Sequence, residues 1–406
     1  MKILWLLRRT LPANFNGPLE YEMEQLVGKN NIFFYGDKNL PTQDCYGIPY
    51  YPSIYHMINQ PIDAIVRETK PDIVMFDKPT DGFLEYDKII YKVPIVTFMM
   101  DTHGEWLNRQ RRARTGQLNT LFVRGYGNGV GYRVKKEICN VGYSPLCAPS
   151  QLFFPIIQEK INDVHLAGCL GLIYPLRCIV YNLIDRKVSS NSKDIIIRNN
   201  IKFLVDGHNM SIQQYIESIQ NSKIILFDTS LFNYPLMKFF EGMACNALVM
   251  SNLPDDYEAL RFKPNENMIE INLDTDIIET IKYYLRNENE LKRIADNGMK
   301  LFQKYHTAKA RAEQLYHQFE IVISSYGGEK SFESRDIRGE AGRMLQILEQ
   351  NEQNYNPKSL LHQCIDKGLR QTIDPWYAEA NKIWNNFVLD DWKNFIRKEW
   401  QTTKLK

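Results

Sequence analysis

Short apolar runs alternate with amphipathic stretches along the first three quarters of the chain. The run before Arg8 and Arg9 is only about five residues long, too short for a secretion-type core, and predicts a buried first strand. Asn16-Gly17-Pro18 marks a loop, after which Leu19, Met23, Leu26 and Val27 share one helical face. Ile32–Tyr35 reads as a strand. Ile62–Glu68, Lys70-Pro71-Asp72 and Ile73–Phe76 read as helix, turn and strand, and Val93–Met99 as one more strand. Strands alternating with helices over this length predict a parallel sheet covered on both faces. This defines a Rossmann-like domain over residues 1–150.

Pro145, Pro149 and Pro155 punctuate a linker around Ala148–Pro155, and a second alternating series follows. Its pieces are Val164–Leu166, Ile201–Val205, a helix from Ser211, and the stretch Ile224–Asn252. Ser211 and Gln214 form a capping box ahead of Tyr215, Ile216 and Ile219 at helical spacing. In the central stretch, Ile224–Phe227 predicts a strand and Pro235 the first position of a helix carrying Leu236, Phe239, Phe240 and Met243. Asn246 stops that helix, and Ala247–Met250 predicts the next strand. Met268–Ile271 is a further strand, and Asp276 with Glu279 caps a helix bearing Ile277, Ile278, Ile281, Tyr284 and Leu285. The second Rossmann-like domain is thus expected over residues 151–322.

Residues 323–406 differ in character. Ala341–Gln353 and Pro357–Gly368 read as helices, and Pro375–Trp400 as one long or broken helix. Trp376, Trp384, Trp392 and Trp400 recur every eight residues, which does not make a single straight stripe. A helical extension wrapping back over both domains is expected.

Composition narrows the picture modestly. A hydrophobic content of 44 % and a charged content of 24 % suit a soluble globular protein, and a net charge of +2 names no partner. The seven cysteines show neither C-x-x-C pairs nor zinc spacing, which points to reduced thiols and a cytoplasmic location. No run reaches the roughly 18 apolar residues of a membrane span, so no transmembrane segment is expected.

The chemistry centres on Lys238 and Glu241, three apart on one helix after a strand end. A helix N-terminus there offers free N–H groups to a diphosphate, and a carboxylate one turn further in suits two ribose hydroxyls. A solvated ion pair on a surface helix is the bland alternative. The run P-L-M-K-F-F-E-G-M-A-C-N-A-L-V-M-S resembles the nucleotide-sugar signature of the GT-B glycosyltransferases, specifically the C-terminal domain of glycosyl transferases group 1 (family 4-like).

The resemblance implies two Rossmann-like domains with parallel sheets facing a cleft, the first on the acceptor side and the second binding the donor. It implies sugar transfer from a nucleotide-sugar to an acceptor hydroxyl with retention, and no cofactor beyond that substrate. Glu241 matches the ribose-holding glutamate of the motif. Asn233 stands where the family has its other glutamate, and Asn246 where it usually has glycine.

His103, in Asp101-Thr102-His103 after the Val93–Met99 strand, resembles a family histidine near the donor sugar; a structural histidine is the alternative. Arg177 lies in the segment that in related domains places an arginine near the diphosphate, where it would join Lys238 in stabilising the leaving nucleotide. Arg109, Arg111, Arg112 and Arg114 would suit an anionic acceptor, such as a lipid-linked sugar, a phosphate polymer or DNA; a solvated face is the default. Asp274-Thr275-Asp276 mimics a D-x-D metal motif but sits at a helix start, so it reads as a cap and no metal is expected. The competing reading is a non-catalytic GT-B-like nucleotide-binding or scaffold protein that uses its Trp-rich tail for partner binding.

Overall fold

A computed structural model describes residues 1–7, 17–36, 55–76, 93–99, 120–123, 140–168, 174–184, 194–205, 210–229, 233–326 and 338–352. Its first sheet is built from β1 (Ile3–Leu7), β2 (Ile32–Gly36), β3 (Tyr55–Met57), β4 (Ile73–Phe76), β5 (Ile95–Met99), β6 (Thr120–Val123) and β7 (Asn140–Tyr143). The order is β3-β2-β1-β4-β5-β6-β7, and every pairing is parallel. Helices α1 (Gly17–Val27) and α2 (Ile62–Thr69) belong to this half. Because side chains alternate along a strand, β1 feeds two cores. Ile3, Trp5 and Leu7 enter one with Phe34 and Phe98, while Leu4 and Leu6 enter another with Ile65 and Val74. A strand buried on both faces reads as a continuous apolar run, as β1 does.

The second sheet comprises β8 (Asn162–Leu166), β9 (Asp194–Arg198), β10 (Ile201–Val205), β11 (Ser222–Leu226), β12 (Leu248–Ser251) and β13 (Ile269–Glu270), in the order β13-β12-β11-β8-β10-β9. All its pairings are parallel except β9 with β10. Sequence periodicity passed over β9. Its signal was Asn199-Asn200, both at positive φ (52° and 62°), which form a two-residue hairpin turn. The helices here are α3 (Pro175–Ile184), α4 (Ile212–Gln220), α5 (Met237–Ala244), α6 (Ile277–Arg286) and α7 (Glu288–Tyr305).

Several local expectations hold. Ser211 accepts from the Gln214 N–H while the Gln214 side chain accepts from the Ser211 N–H, completing the box at the start of α4. Asp276 accepts from the Glu279 N–H, so the D-x-D look-alike caps α6. Asn246 follows α5 at φ 53°, a conformation asparagine tolerates and glycine favours. One start is displaced. Helix α5 begins at Met237 rather than Pro235, because Leu236 is still extended (φ −82°, ψ 158°).

Lys160, two residues before β8, holds the far end of α5. Its ammonium donates to the carbonyls of Ser222, Cys245 and Asn246 at 3.1, 2.9 and 2.9 Å. Burial pushes its pKa down to about 8.

Two further helices join the halves. Helix α8 (Ala308–Ser325) leaves the second domain and packs on α1 of the first, and α9 (Gly339–Glu352) packs against α8 and β7. Gln318 of α8 pairs with the open edge of β7, accepting from the Tyr143 N–H at 3.0 Å and donating to the Tyr143 carbonyl at 2.9 Å. The Tyr143 hydroxyl donates to Asp256 of the second domain. From α9, Glu340 takes Arg261 in a two-pronged pair at 2.9 Å, and Arg343 donates to the Ala259 carbonyl. One buried apolar cluster therefore runs from the first sheet through Phe319 and Met344 into the second domain at Phe239 and Phe262. The architecture is α/β with two predominantly parallel sheets and helices that tie them together.

Candidate active site

In the second sheet the chain leaves β8 toward β10 on one side and later returns to β11 on the other. The carboxyl ends of β8 and β11 therefore flank the point where strand order reverses, the place where open α/β sheets bind ligands. Gly168 follows β8, Asp228 follows β11, and α5 starts nearby.

Asp228 is fully buried and organises this corner. It accepts from the backbone N–H groups of Leu176 (2.9 Å) and Arg177 (3.2 Å), capping α3 from the end of β11, and from Arg177 Nε at 2.7 Å. Burial pushes the Asp228 carboxyl up, and the Arg177 charge and hydrogen bonds oppose that rise. Arg177 is itself only 1 % exposed. It donates from Nη1 to the Ala167 carbonyl at 3.2 Å, and its guanidinium lies 3.6 Å from the centre of the Tyr174 ring. It is a core ion pair, not an arginine on a helix surface.

Gly168 closes the arrangement. Its φ is +97°, and a Cβ there would sit 2.3 Å from Arg177 Nη1 and 2.6 Å from Lys238 Cε. Only glycine permits both the backbone and the approach. The fold thus brings Arg177 and Lys238, far apart in sequence, to one glycine turn.

Lys238, half-buried, holds its Nζ 5.6 Å from the centre of the Tyr215 ring. The Tyr215 hydroxyl donates to Glu241 Oε2 at 2.5 Å. Glu241 is 1 % exposed, so the solvated surface pair is not what α5 presents. The periodic reading placed Tyr215 simply among apolar helix positions. Nothing local in the sequence announces that its hydroxyl meets a carboxylate 26 residues on.

Asn233 sits at φ 52° in the loop before α5. It donates to Asp255 Oδ1 (3.1 Å), accepts from the Thr229 hydroxyl (3.3 Å), and its carbonyl accepts from the Asp255 N–H (3.0 Å). Asn252 adds two bonds to Thr229. The residue at the altered motif position is thus built into a polar loop network. His103, Asp101, Arg109, Arg111, Arg112 and Arg114 lie outside the described residues, as does the Trp-rich tail. Among the described residues no group of three or more His, Cys, Asp or Glu side chains could hold a metal, and no helix is long and apolar enough to cross a membrane.

Solved structures share this architecture. The chain matches a glycosyltransferase from Rickettsia africae ESF-5 with a TM-score of 0.58 at 11 % identity, over 80 % of this chain and 99 % of that one. It matches sucrose-phosphate synthase from Thermosynechococcus elongatus with a TM-score of 0.54 at 10 % identity, over 80 % and 99 %. It matches Anabaena Alr3699/HepE in complex with UDP and glucose with a TM-score of 0.53 at 12 % identity, over 79 % and 99 %. The fold is GT-B. Residues 198–317 match the family described as glycosyl transferase-like, a segment that holds Tyr215, Asn233, Lys238 and Glu241. Within the second domain, that segment is thus similar to the glycosyl transferase-like family. No curated protein matches the chain.

Proposed function

We propose that the protein transfers a sugar from a nucleotide diphosphate sugar to an acceptor hydroxyl, with Glu241 as the ribose ligand. The observation that carries this reading is the meeting of Gly168, Arg177 and Lys238 at the strand-reversal point, with Glu241 one turn along α5. The N–H groups at the start of α5 and the Lys238 ammonium would neutralise the diphosphate. Arg177, committed to Asp228, would act by holding the Gly168 turn against it.

In the retaining reaction, the bond from the anomeric carbon to the phosphate oxygen breaks while the acceptor oxygen bonds on the same face. The acceptor proton passes to the leaving phosphate. Helix ends and Lys238 would replace a metal in this scheme. Uridine diphosphate sugars are the first donors to try, since Anabaena HepE was solved with UDP and with UDP-glucose. His103 would serve near the donor sugar, and the Arg109–Arg114 cluster would meet an anionic acceptor.

The engagement of Asn233 with Thr229 and Asp255 favours a second reading, a GT-B protein that binds a nucleotide without transferring sugar. Slow donor hydrolysis without acceptor would speak for the enzyme. The direct test is calorimetry with UDP and UDP-glucose on wild type and Glu241→Ala. Losing hydrogen bonds to a charged group weakens binding about 10- to 150-fold. Unchanged affinity in a folded variant would remove Glu241 from the site.

A further inference from the structure

The antiparallel hairpin β9–β10 stands at the end of the second sheet, and among the described residues no strand pairs with the outer side of β9. Ile196 leans toward the core of this domain, while Ile195 and Ile197 on the opposite face are 57 % and 73 % exposed. Residues 194–198 read D-I-I-I-R, with no proline to discourage edge pairing and charges only at the two ends.

The phase of the ladder identifies the groups this edge offers. The two-residue turn at Asn199-Asn200 makes Arg198 and Ile201 the closing hydrogen-bonded pair, so Ile196 also bonds toward β10. The Lys202 N–H fits this phase. It turns away from β9 and donates to Asp163 at 3.0 Å, so its partner Ile197 points its amide outward. The outward N–H and C=O groups are therefore those of Ile195 and Ile197.

We infer that this edge is self-complementary and joins two copies of the chain about a twofold axis at Ile196. In that register Ile195 meets Ile197 of the second copy as a hydrogen-bonded pair, twice over, and four ladder bonds form. The same register sets residue 194, an acid, opposite Arg198 of the second copy at both ends. It also gathers four exposed isoleucines on one face. A register shifted by one residue points the outward amides at residues that bond inward. A shift by two residues keeps the phase, pairs fewer residues and loses both charge matches. The contact is one strand wide, so a weak, concentration-dependent dimer follows.

Sedimentation velocity on the full chain over a concentration series tests this. Wild type should show a monomer–dimer equilibrium. Asp194→Arg and Arg198→Asp, each placing like charges opposite one another, should each weaken it several-fold, and the double variant should restore it because the pairs re-form in reverse. Ile197→Lys should abolish it, with the far-ultraviolet spectrum unchanged. A wild type that is monomeric throughout would overturn the inference. So would a dimer indifferent to the single charge changes, or one that the double variant fails to restore.

Discussion

Tyr215 shows how a residue acquires its role from a partner that sequence does not bring near it. Its ring packs edge-on against Phe153 with centroids 6.3 Å apart, while its hydroxyl binds the buried Glu241 and Lys238 lies over its face. Tyr215→Phe keeps the ring and removes the donor to a buried carboxylate. A hydrogen bond to a charged group contributes about 1.5–3 kcal/mol, so the variant should be destabilised by an amount in that range in urea unfolding. A midpoint and slope matching wild type would show that Glu241 does not depend on this hydroxyl. The same logic applies to Arg177. Its type and segment marked it as a candidate, yet its immediate partner, Asp228, lies just past β11, 51 residues away, and takes up its Nε.

At the level of elements, the caps carry most of what local sequence specifies. Helix α6 illustrates it, since Asp276 satisfies the Glu279 N–H and Thr275 is tied back to Asn272 by hydrogen bonds at 3.0 and 3.2 Å. With Asp276 committed to a helix start, the proposed reaction is expected to need no metal at this position. Turnover should survive EDTA, and Asp276→Ala should cost about 1 kcal/mol of stability while leaving turnover intact at a temperature where the variant is folded. Loss of turnover in EDTA, restored by Mg²⁺ or Mn²⁺, would contradict that assignment. Helix α5 is the contrasting case. It has no side-chain cap, and its far end is held by Lys160 from just before β8. Its near end is left to meet the Gly168 turn.

For the whole molecule, the decisive feature is the seam where α7 gives way to α8. His306 is buried there between both domains' contributions. Its Nε2–H donates to the Leu260 carbonyl at 3.0 Å, so Nδ1 is left to accept from Arg311 Nη2, also at 3.0 Å. Arg311 in turn reaches the carbonyl of Leu146, just after β7, at 3.3 Å. Burial first, then the Arg311 charge with those of Arg343 and Arg261, holds the His306 pKa well below its ordinary 6.5. The folded protein thus keeps this ring neutral where the unfolded chain protonates it. The stability it contributes is complete above about pH 6.5 and declines as pH falls from there toward the depressed folded value. His306→Gln offers a donor and an acceptor but cannot titrate. Its unfolding free energy should fall less steeply between neutral and mildly acidic pH, as read from urea titrations. Identical pH slopes would place the acid sensitivity elsewhere.

Periodicity and capping were enough to read two alternating series, the boundaries of Ile73–Phe76 and Ile201–Val205, and the caps at Ser211 and Asp276. These depend on contacts within a few residues and on the two- and 3.6-residue repeats, which any window of sequence carries. The family motif around Lys238 and Glu241 was legible for the same reason, being contiguous. Tertiary structure alone decided that Arg177 is buried against Asp228, that Gly168 must be glycine to admit Arg177 and Lys238, and that Tyr215 belongs to Glu241. It also decided that Gln318 completes the edge of β7, 175 residues earlier in the chain. Such pairings arise where strands order themselves in a sheet and helices cross between domains, and a polar side chain carries no local mark of the distant group that will satisfy it.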